Sequence, residues 1–284
     1  MLRIAYFISI LFFLLSCTSQ STVSINNGYV DFPEVWELKA KTIQLDTALF
    51  RYPFRVHAWD NKAVVLDLHG TDHYFHAFSY PEFHYLSSFG KRGDAPEEML
   101  SAENFRWGEK CLWTLDANKS ELTELGFALS GDTLLRQEVV KLDKDILRAL
   151  DFIIYEDSTF IIPDYTGDNR FCQVSSEGKL LRKFGAIPSA NEEALANSRP
   201  ALAQAWRSFI DYNPRKGVLV AATQLGEVLE IYNLKDSTHV VCIGPHGEPE
   251  FQVAEGYGIP TGIMGFGDAV SYTHLRAHET KANL

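Results

Sequence analysis

Apolar and polar residues alternate through most of this chain in short runs, each closed by Gly, Pro, Asn or Asp. Alternation with a period of two predicts strands with one buried face, and the spacing of the turn residues predicts many of them. The segment TFIIPDYTGDNRFCQVSSEGKLLRKFG, Thr159 to Gly185, reads strand, polar loop, strand, Glu-Gly turn, strand, Phe-Gly. The same order recurs in Ala63 to Gly90, and more loosely in Cys111 to Val140 and Val218 to Gly244. An acidic residue ends the first strand of each unit at Asp67, Asp116 and Asp164, with Thr223 in that place in the fourth, so the units lie 49, 48 and 59 residues apart. A fourth strand is expected just upstream of each unit: Arg55 to Trp59, Phe105 to Glu109, Asp151 to Glu156 and Trp206 to Tyr212. Four strands repeating at this interval mark a β-propeller blade. The longer last interval contains ANEEALANSRPALAQAW, Ala190 to Trp206, whose Ala, Leu and Glu predict a helical excursion between the third and fourth blades.

The two ends differ from this pattern. Arg3 is followed by an uncharged apolar run from Ile4 to Leu15, too short to span a bilayer comfortably and suited to the core of a signal peptide. Leu14-Leu15-Ser16-Cys17 resembles a bacterial lipobox, which implies cleavage before Cys17 and lipidation of that cysteine. Thr18 and Ser19 are not the aspartate of an inner-membrane retention signal, and no acidic cluster resembling a surface-export signal follows. The expected address is therefore the periplasmic face of the outer membrane, with residues 17–40 as tether and lead-in. At the other end, GIPTGIMGFGDAV (Gly258 to Val270) reads as the first strand of a fifth blade, while KTIQLD (Lys41 to Asp46) reads as the piece that completes a last one. The closing SYTHLRAHET resembles a translated sequencing adapter, so residues 271–284 are expected to be non-native and the native chain roughly 60 to 80 residues longer. An arc of four blades would leave strand edges open.

Composition adds limits more than detail. The chain is 46% hydrophobic and 13% aromatic, enough for a sizeable core, and its Trp and Phe fit blade-to-blade packing. A formal charge of -11 removes the basic footprint that nucleic-acid binding needs. Cys111, Cys172 and Cys242 form no CxxC pair and read as small buried hydrophobes; one disulfide among them is not deducible.

PDYTGDNRFCQVSSEGKLLRKFG resembles one NHL-type repeat through Asp164, Asn169, Arg170, Gly178, Phe184 and Gly185. FGKRGDAPEE (Phe89 to Glu98) and IGPHGEPEF (Ile243 to Phe251) resemble the linkers that follow such strands. Together with the lipobox, the chain to about residue 270 resembles the TolB-like six-bladed propeller lipoproteins of Bacteroidetes. The resemblance implies an all-β, six-bladed propeller, here with four complete blades and the first strand of a fifth, and brings no defined activity with it.

In a propeller, the loops between second and third strands gather at one mouth of the axis. That makes His69, Asp72 and His73, then Asp116, Asn118 and Lys119, then Asp164, Asp168, Asn169 and Arg170, and finally Gln224 the candidate ligand-binding residues. His69, Asp72, His73 and His76, with His57 and His84 nearby, could be read as zinc ligands, but His73 and His76 would point to opposite faces of a strand and no short zinc pattern is met. The repeated aspartates read as turn caps accepting backbone N–H groups. No GxSxG, HExxH or P-loop occurs. The expected function is a lipid-anchored, cofactor-free, non-catalytic module that binds an envelope protein, peptide or glycan. The alternatives are a metal-assisted hydrolase or lyase using mouth carboxylates with His69 or His73, and a structural spacer.

Overall fold

The structure is a computed structural model that describes residues 23–27, 37, 39, 42–45 and 50–268, apart from 109–110, 128–133, 157–158 and 255–256. The signal sequence, Cys17 and the tail from Ser271 lie outside the described residues. Strand β1 (Val23–Asn27) is followed by four antiparallel four-stranded sheets. The first blade is β2 (Pro53–Trp59), β3 (Lys62–Asp67), β4 (His73–Ser79) and β5 (Tyr85–Lys91). The second is β6 (Ala102–Trp107), β7 (Cys111–Asp116), β8 (Glu121–Phe127) and β9 (Leu134–Lys141). The third is β10 (Ile153–Ile154), β11 (Phe160–Pro163), β12 (Phe171–Val174) and β13 (Leu180–Phe184). Two helices, α1 (Glu192–Asn197) and α2 (Arg199–Ala205), occupy the expected excursion before the fourth blade, β14 (Ser208–Asn213), β15 (Val218–Thr223), β16 (Val228–Asn233) and β17 (Thr238–Ile243). Asn191 caps α1 by accepting the Ala194 N–H, and Pro200 stands in the first turn of α2, where a missing N–H costs nothing.

The period of two explains how the blades stack. Successive residues of a strand face opposite sides of its sheet, so each blade offers one apolar row to the blade before it and another to the blade after. Leu112 and Leu125 join Phe75, Phe89 and Phe105 between blades one and two, whereas Trp113, Leu115 and Leu122 join Phe152, Phe160 and Cys172 between blades two and three. Ile153, Ile161 and Phe171 then meet Ile210, Leu219 and Tyr232 between blades three and four. Aromatic pairs cross each seam: Phe75 with Phe105 at 5.7 Å, Trp113 with Phe160 at 5.0 Å, Phe171 with Tyr232 at 5.2 Å. Each fully buried ring of this kind contributes about 1.5–3 kcal/mol.

Three features depart from the sequence reading. Val23–Asn27, expected as tether, pairs in parallel with β17 as a fifth strand on the fourth blade. The strand expected over 258–270 is only partly there: β18 (Glu250–Ala254) and β19 (Tyr257–Thr261) form a separate hairpin, and residues 262–268 run on without strand structure. Residues 42–45 also form no strand. Across the centre of the arc, Phe54 of the first blade and Phe209 of the fourth meet at 6.3 Å. Among the described cysteines no disulfide forms; Cys172 is buried, and Cys111 and Cys242 are half-buried.

The Glu-Gly turn of the third blade needs its glycine. Gly178 has φ +84, and a Cβ there would lie 1.9 Å from the Lys141 carbonyl oxygen of the second blade. Gly178→Ala is therefore expected to destabilise the chain by more than the roughly 1 kcal/mol of an ordinary glycine-to-alanine change, read from the midpoint of urea unfolding.

Candidate functional site

The repeated acidic residue closes each blade against the chain that enters it. Asp67 Oδ2 accepts the Arg51 N–H (2.8 Å), and its Oδ1 accepts those of Tyr52 (2.7 Å) and His69 (3.2 Å). Asp116 repeats this with Leu100 (2.7 Å), Asn118 (3.0 Å) and Lys119 (2.9 Å). Asp164 keeps the turn bond, from Thr166 N (3.0 Å), and adds the Lys183 ammonium at 3.1 Å. In the fourth blade Thr223 Oγ1 accepts from Val228 N (3.1 Å). All four side chains are buried, and their oxygens already have partners inside the chain.

The other sequence candidates are scattered. His69 and Asp72 are exposed on the β3–β4 loop, with the His69 ring edge-on to Tyr52, while half-buried His73 opens β4. His76 lies mid-strand against Ser88 Oγ (2.8 Å), His57 sits on β2, and His84 lies in the β4–β5 loop at the opposite end of the blade. The imidazoles are thus not brought together, and among the described residues no group of three His, Cys, Asp or Glu is arranged to hold a metal ion. Asn118 and Asp168 are exposed; Lys119 Nζ bonds the carbonyls of Ala95 (2.6 Å) and Glu98, and Asn169 bonds the Gly185 carbonyl (3.3 Å). Arg170 points inward. Its guanidinium reaches Glu230 (2.5 Å), the Trp206 carbonyl (3.0 Å) and Ser208 Oγ (2.9 Å), pinning the third blade to the fourth with both charged side chains buried.

Gln224 alone of these candidates lines a cavity on the axis. The cavity is a narrow cleft, partly open to solvent and with room for about one water, between Phe54, Arg55, Asn104, Leu150, Asp151, Tyr165, Arg207, Ser208, Phe209 and Gln224. Its floor is a relay of polar side chains from the first strands of blades one, two and four and from Asp151, just ahead of the third blade's first strand. Arg55 donates to Asn104 Oδ1 (2.7 Å), Asn104 donates to Asp151, and Arg106 bridges Asp151 (2.9 Å) and Asp211 (3.2 Å). Asp151 also accepts the backbone N–H groups of Phe152 (2.8 Å) and Ile210 (3.3 Å). A strap, residues 262–268, crosses the fourth blade by donating Gly265 N to the Gln224 carbonyl (2.9 Å) and Phe266 N to that of Thr223 (3.0 Å), and so brings Asp268 to Arg55 at 2.5 Å. Only glycine fits at 265, where a Cβ would stand 2.1 Å from the Gly226 carbonyl oxygen.

These axial residues escaped the sequence reading, although they carry a signal. In or just ahead of each first strand a phenylalanine stands beside a polar residue: Phe54-Arg55, Asn104-Phe105-Arg106, Asp151-Phe152 and Ser208-Phe209. The cavity's upper wall is different in kind. Tyr165 is only 4% exposed, yet its hydroxyl has no hydrogen-bond partner among the described residues, and burial with nearby Asp151 pushes its pKa up to about 12 against the opposing pull of Arg207. Among the described residues, half-buried Arg207 forms no ion pair.

A family model described as TolB-like 6-blade propeller-like matches residues 31–274. No curated protein sequence matches the chain. Among solved structures, it is similar to a protein of Bacteroides fragilis assigned as exported, at 14% identity and TM-score 0.50, covering 79% of this chain and 61% of that one. A streptogramin B lyase shares 13% identity at TM-score 0.45, covering 70% and 57%. A member of the DUF4221 family from Bacteroides vulgatus shares 10% at TM-score 0.43, covering 75% and 62%. The chain thus spans about three fifths of the length of these structures.

Two outcomes follow from the buried charges. Arg170→Ala strands the Glu230 carboxylate and is expected to cost about 3–5 kcal/mol in urea unfolding. Acid should weaken the fold in two windows. Burial, then the charges of Arg106 and Arg55, lower the His57 pKa from 6.5 to about 4, so between those values the unfolded chain binds a proton that the folded one refuses. Burial raises the Glu230 carboxyl, but Arg170 and Tyr232 hold it at about 2 against 4.5. Stability is thus complete above about pH 6.5, declines toward pH 4 through His57, and declines again from 4.5 toward 2 through Glu230. An NMR titration should find the His57 imidazole turning near 4; a midpoint near 6.5 would contradict this.

Proposed function

The chain belongs to the TolB-like six-bladed propeller-like family, and on that premise we propose that it is a non-catalytic binding module of the bacterial envelope, carried on lipid at Cys17 and presenting its axial mouth to a ligand. One observation carries this reading: among the described residues the polar side chains lining the cleft, Tyr165, Arg207 and Gln224, form no side-chain hydrogen bond or ion pair, while the charges beneath them are paired. An unpartnered buried hydroxyl costs about 1–3 kcal/mol unless something outside the chain satisfies it. The residues supporting the address are the apolar run Ile4 to Leu15 and the Leu14-Leu15-Ser16-Cys17 that ends it. On this reading the module stands at the outer membrane facing the periplasm, and its partner is an envelope protein, peptide or glycan.

Radiolabelled palmitate fed to cells should label the wild-type protein, and Cys17→Ser should abolish both the label and its fractionation with membranes. A photo-crosslinking amino acid at Gln224 is expected to capture a discrete partner that the same group at Lys216, on the opposite end of the blade, does not. Equal capture at both positions would reject the binding reading.

A further inference from the structure

We infer that the strap over residues 262–268 fills a docking groove for an extended polypeptide segment of a partner, in which a glycine is followed at once by an aromatic ring and, two residues on, by a carboxylate; this rests on the binding reading above and names the partner's chemistry. The groove lies between the first and fourth blades, and the strap displays what it accepts. Its main chain pairs with the loop after β15 much as an added strand does: Gly226 N–H donates to the Ile263 carbonyl (2.9 Å), Gly265 N–H to that of Gln224 (2.9 Å) and Phe266 N–H to that of Thr223 (3.0 Å). Any extended segment can supply those bonds, so three other contacts select. Gly265 gives the close approach, since a Cβ there would meet the Gly226 carbonyl oxygen at 2.1 Å. The Phe266 ring packs against Phe209 and Ala222, as Phe54 and Leu229 do. Asp268 reaches Arg55, whose guanidinium lies over the rings of Phe54 and Phe209, 6.0 Å from each.

The strap is lightly held. Five of its seven residues are exposed, Ile263 and Met264 among them, and segments buried so little open at the low end of local stability. The two ends of its ion pair differ: the Asp268 side chain is 40% exposed and that of Arg55 5%. Water can take over the released carboxylate, whereas a buried guanidinium left without a counter-charge is costly. The strap therefore leaves by exchange, when another carboxylate takes its place on Arg55, and until then it competes with the partner.

The probe is the capped heptapeptide of residues 262–268, titrated by NMR into the full isotope-labelled chain and into two variants that unseat the strap by different means, Gly265→Ala through the Cβ clash and Asp268→Asn through the lost charge. In the wild type, the Gly265 and Phe266 amides should exchange with solvent about a hundredfold faster than the amides of β15 and β16. The peptide should give saturable shifts around Arg55, Thr223 and Gln224, and bind both variants about tenfold more tightly than the wild type, because the internal competitor is gone. A peptide carrying Asp268→Asn should bind about ten- to hundredfold more weakly than the parent peptide, and one carrying Phe266→Ala about tenfold. Amide shifts in β7 and β11 report that the variants are folded, and the wild-type exchange rates decide without them. Strap amides as slow as those of β15 and β16, no saturable peptide binding to either variant, or equal binding of the asparagine peptide would each overturn the inference. If the peptides fail while Gln224 still crosslinks a discrete partner, the groove is wrong and the binding module stands; if crosslinking fails too, both fall.

Discussion

Four first strands can lie against one axis only if the polar groups they carry there cancel one another. Asp151 is the centre of that cancellation: one carboxylate receives a guanidinium and an amide from the second blade and a backbone N–H from the fourth. An isolated charge at such a depth would cost several kcal/mol, whereas a pair with every lone pair engaged holds its geometry. Because Arg106 reaches Asp151 and Asp211 together, the second, third and fourth blades are fixed to one another at the point of narrowest approach. The apolar seams between blades are broad and tolerant in register by comparison. The axial relay sets which blade faces which.

The peripheral aspartates solve a second problem by a repeated device. The chain entering a new blade and the turn after its second strand both bring uncovered backbone N–H groups; Asp67 gathers two of the first kind and one of the second, Asp116 one and two. The third blade takes a lysine from its own outer strand instead of an upstream N–H, and the fourth reduces the device to a threonine hydroxyl. The weakening coincides with the insertion of α1 and α2, whose Leu202, Ala203 and Ala205, with Trp206 at the end of α2, pack near Val228 and Val241 of the fourth blade. Packing there replaces part of what hydrogen bonding does in the first two blades.

Much of this was legible in the residues. Period-two alternation and the recurring Asp located the four blades and the helical excursion, because both signals are local. The axial site was not, since its members stand singly and pair across long separations: Arg55 with Asn104, Asn104 with Asp151, Arg106 with Asp211. Arg170 was misplaced to the mouth for the same reason. Its place in the loop between second and third strands suggested the mouth, and the buried carboxylate that draws it inward lies 60 residues away. Val23–Asn27, VSINN, alternates over only four residues before Asn-Asn-Gly, too short a run to announce a strand, and takes its place by parallel pairing with an edge the fourth blade already provides.

That added strand fixes an orientation. Val23 pairs with His239 near the start of β17, at the end of the blade opposite Gln224 and the cavity. With acyl chains on Cys17, as proposed above, the six residues from Cys17 to Val23 reach about 20 Å at full extension. The propeller would then stand close over the bilayer on the far corner of its fourth blade, with its open mouth turned toward the aqueous space. Such a posture is held by one short strand on an outer rim, so peeling β1 from β17 would lengthen the leash and free the whole body to swing.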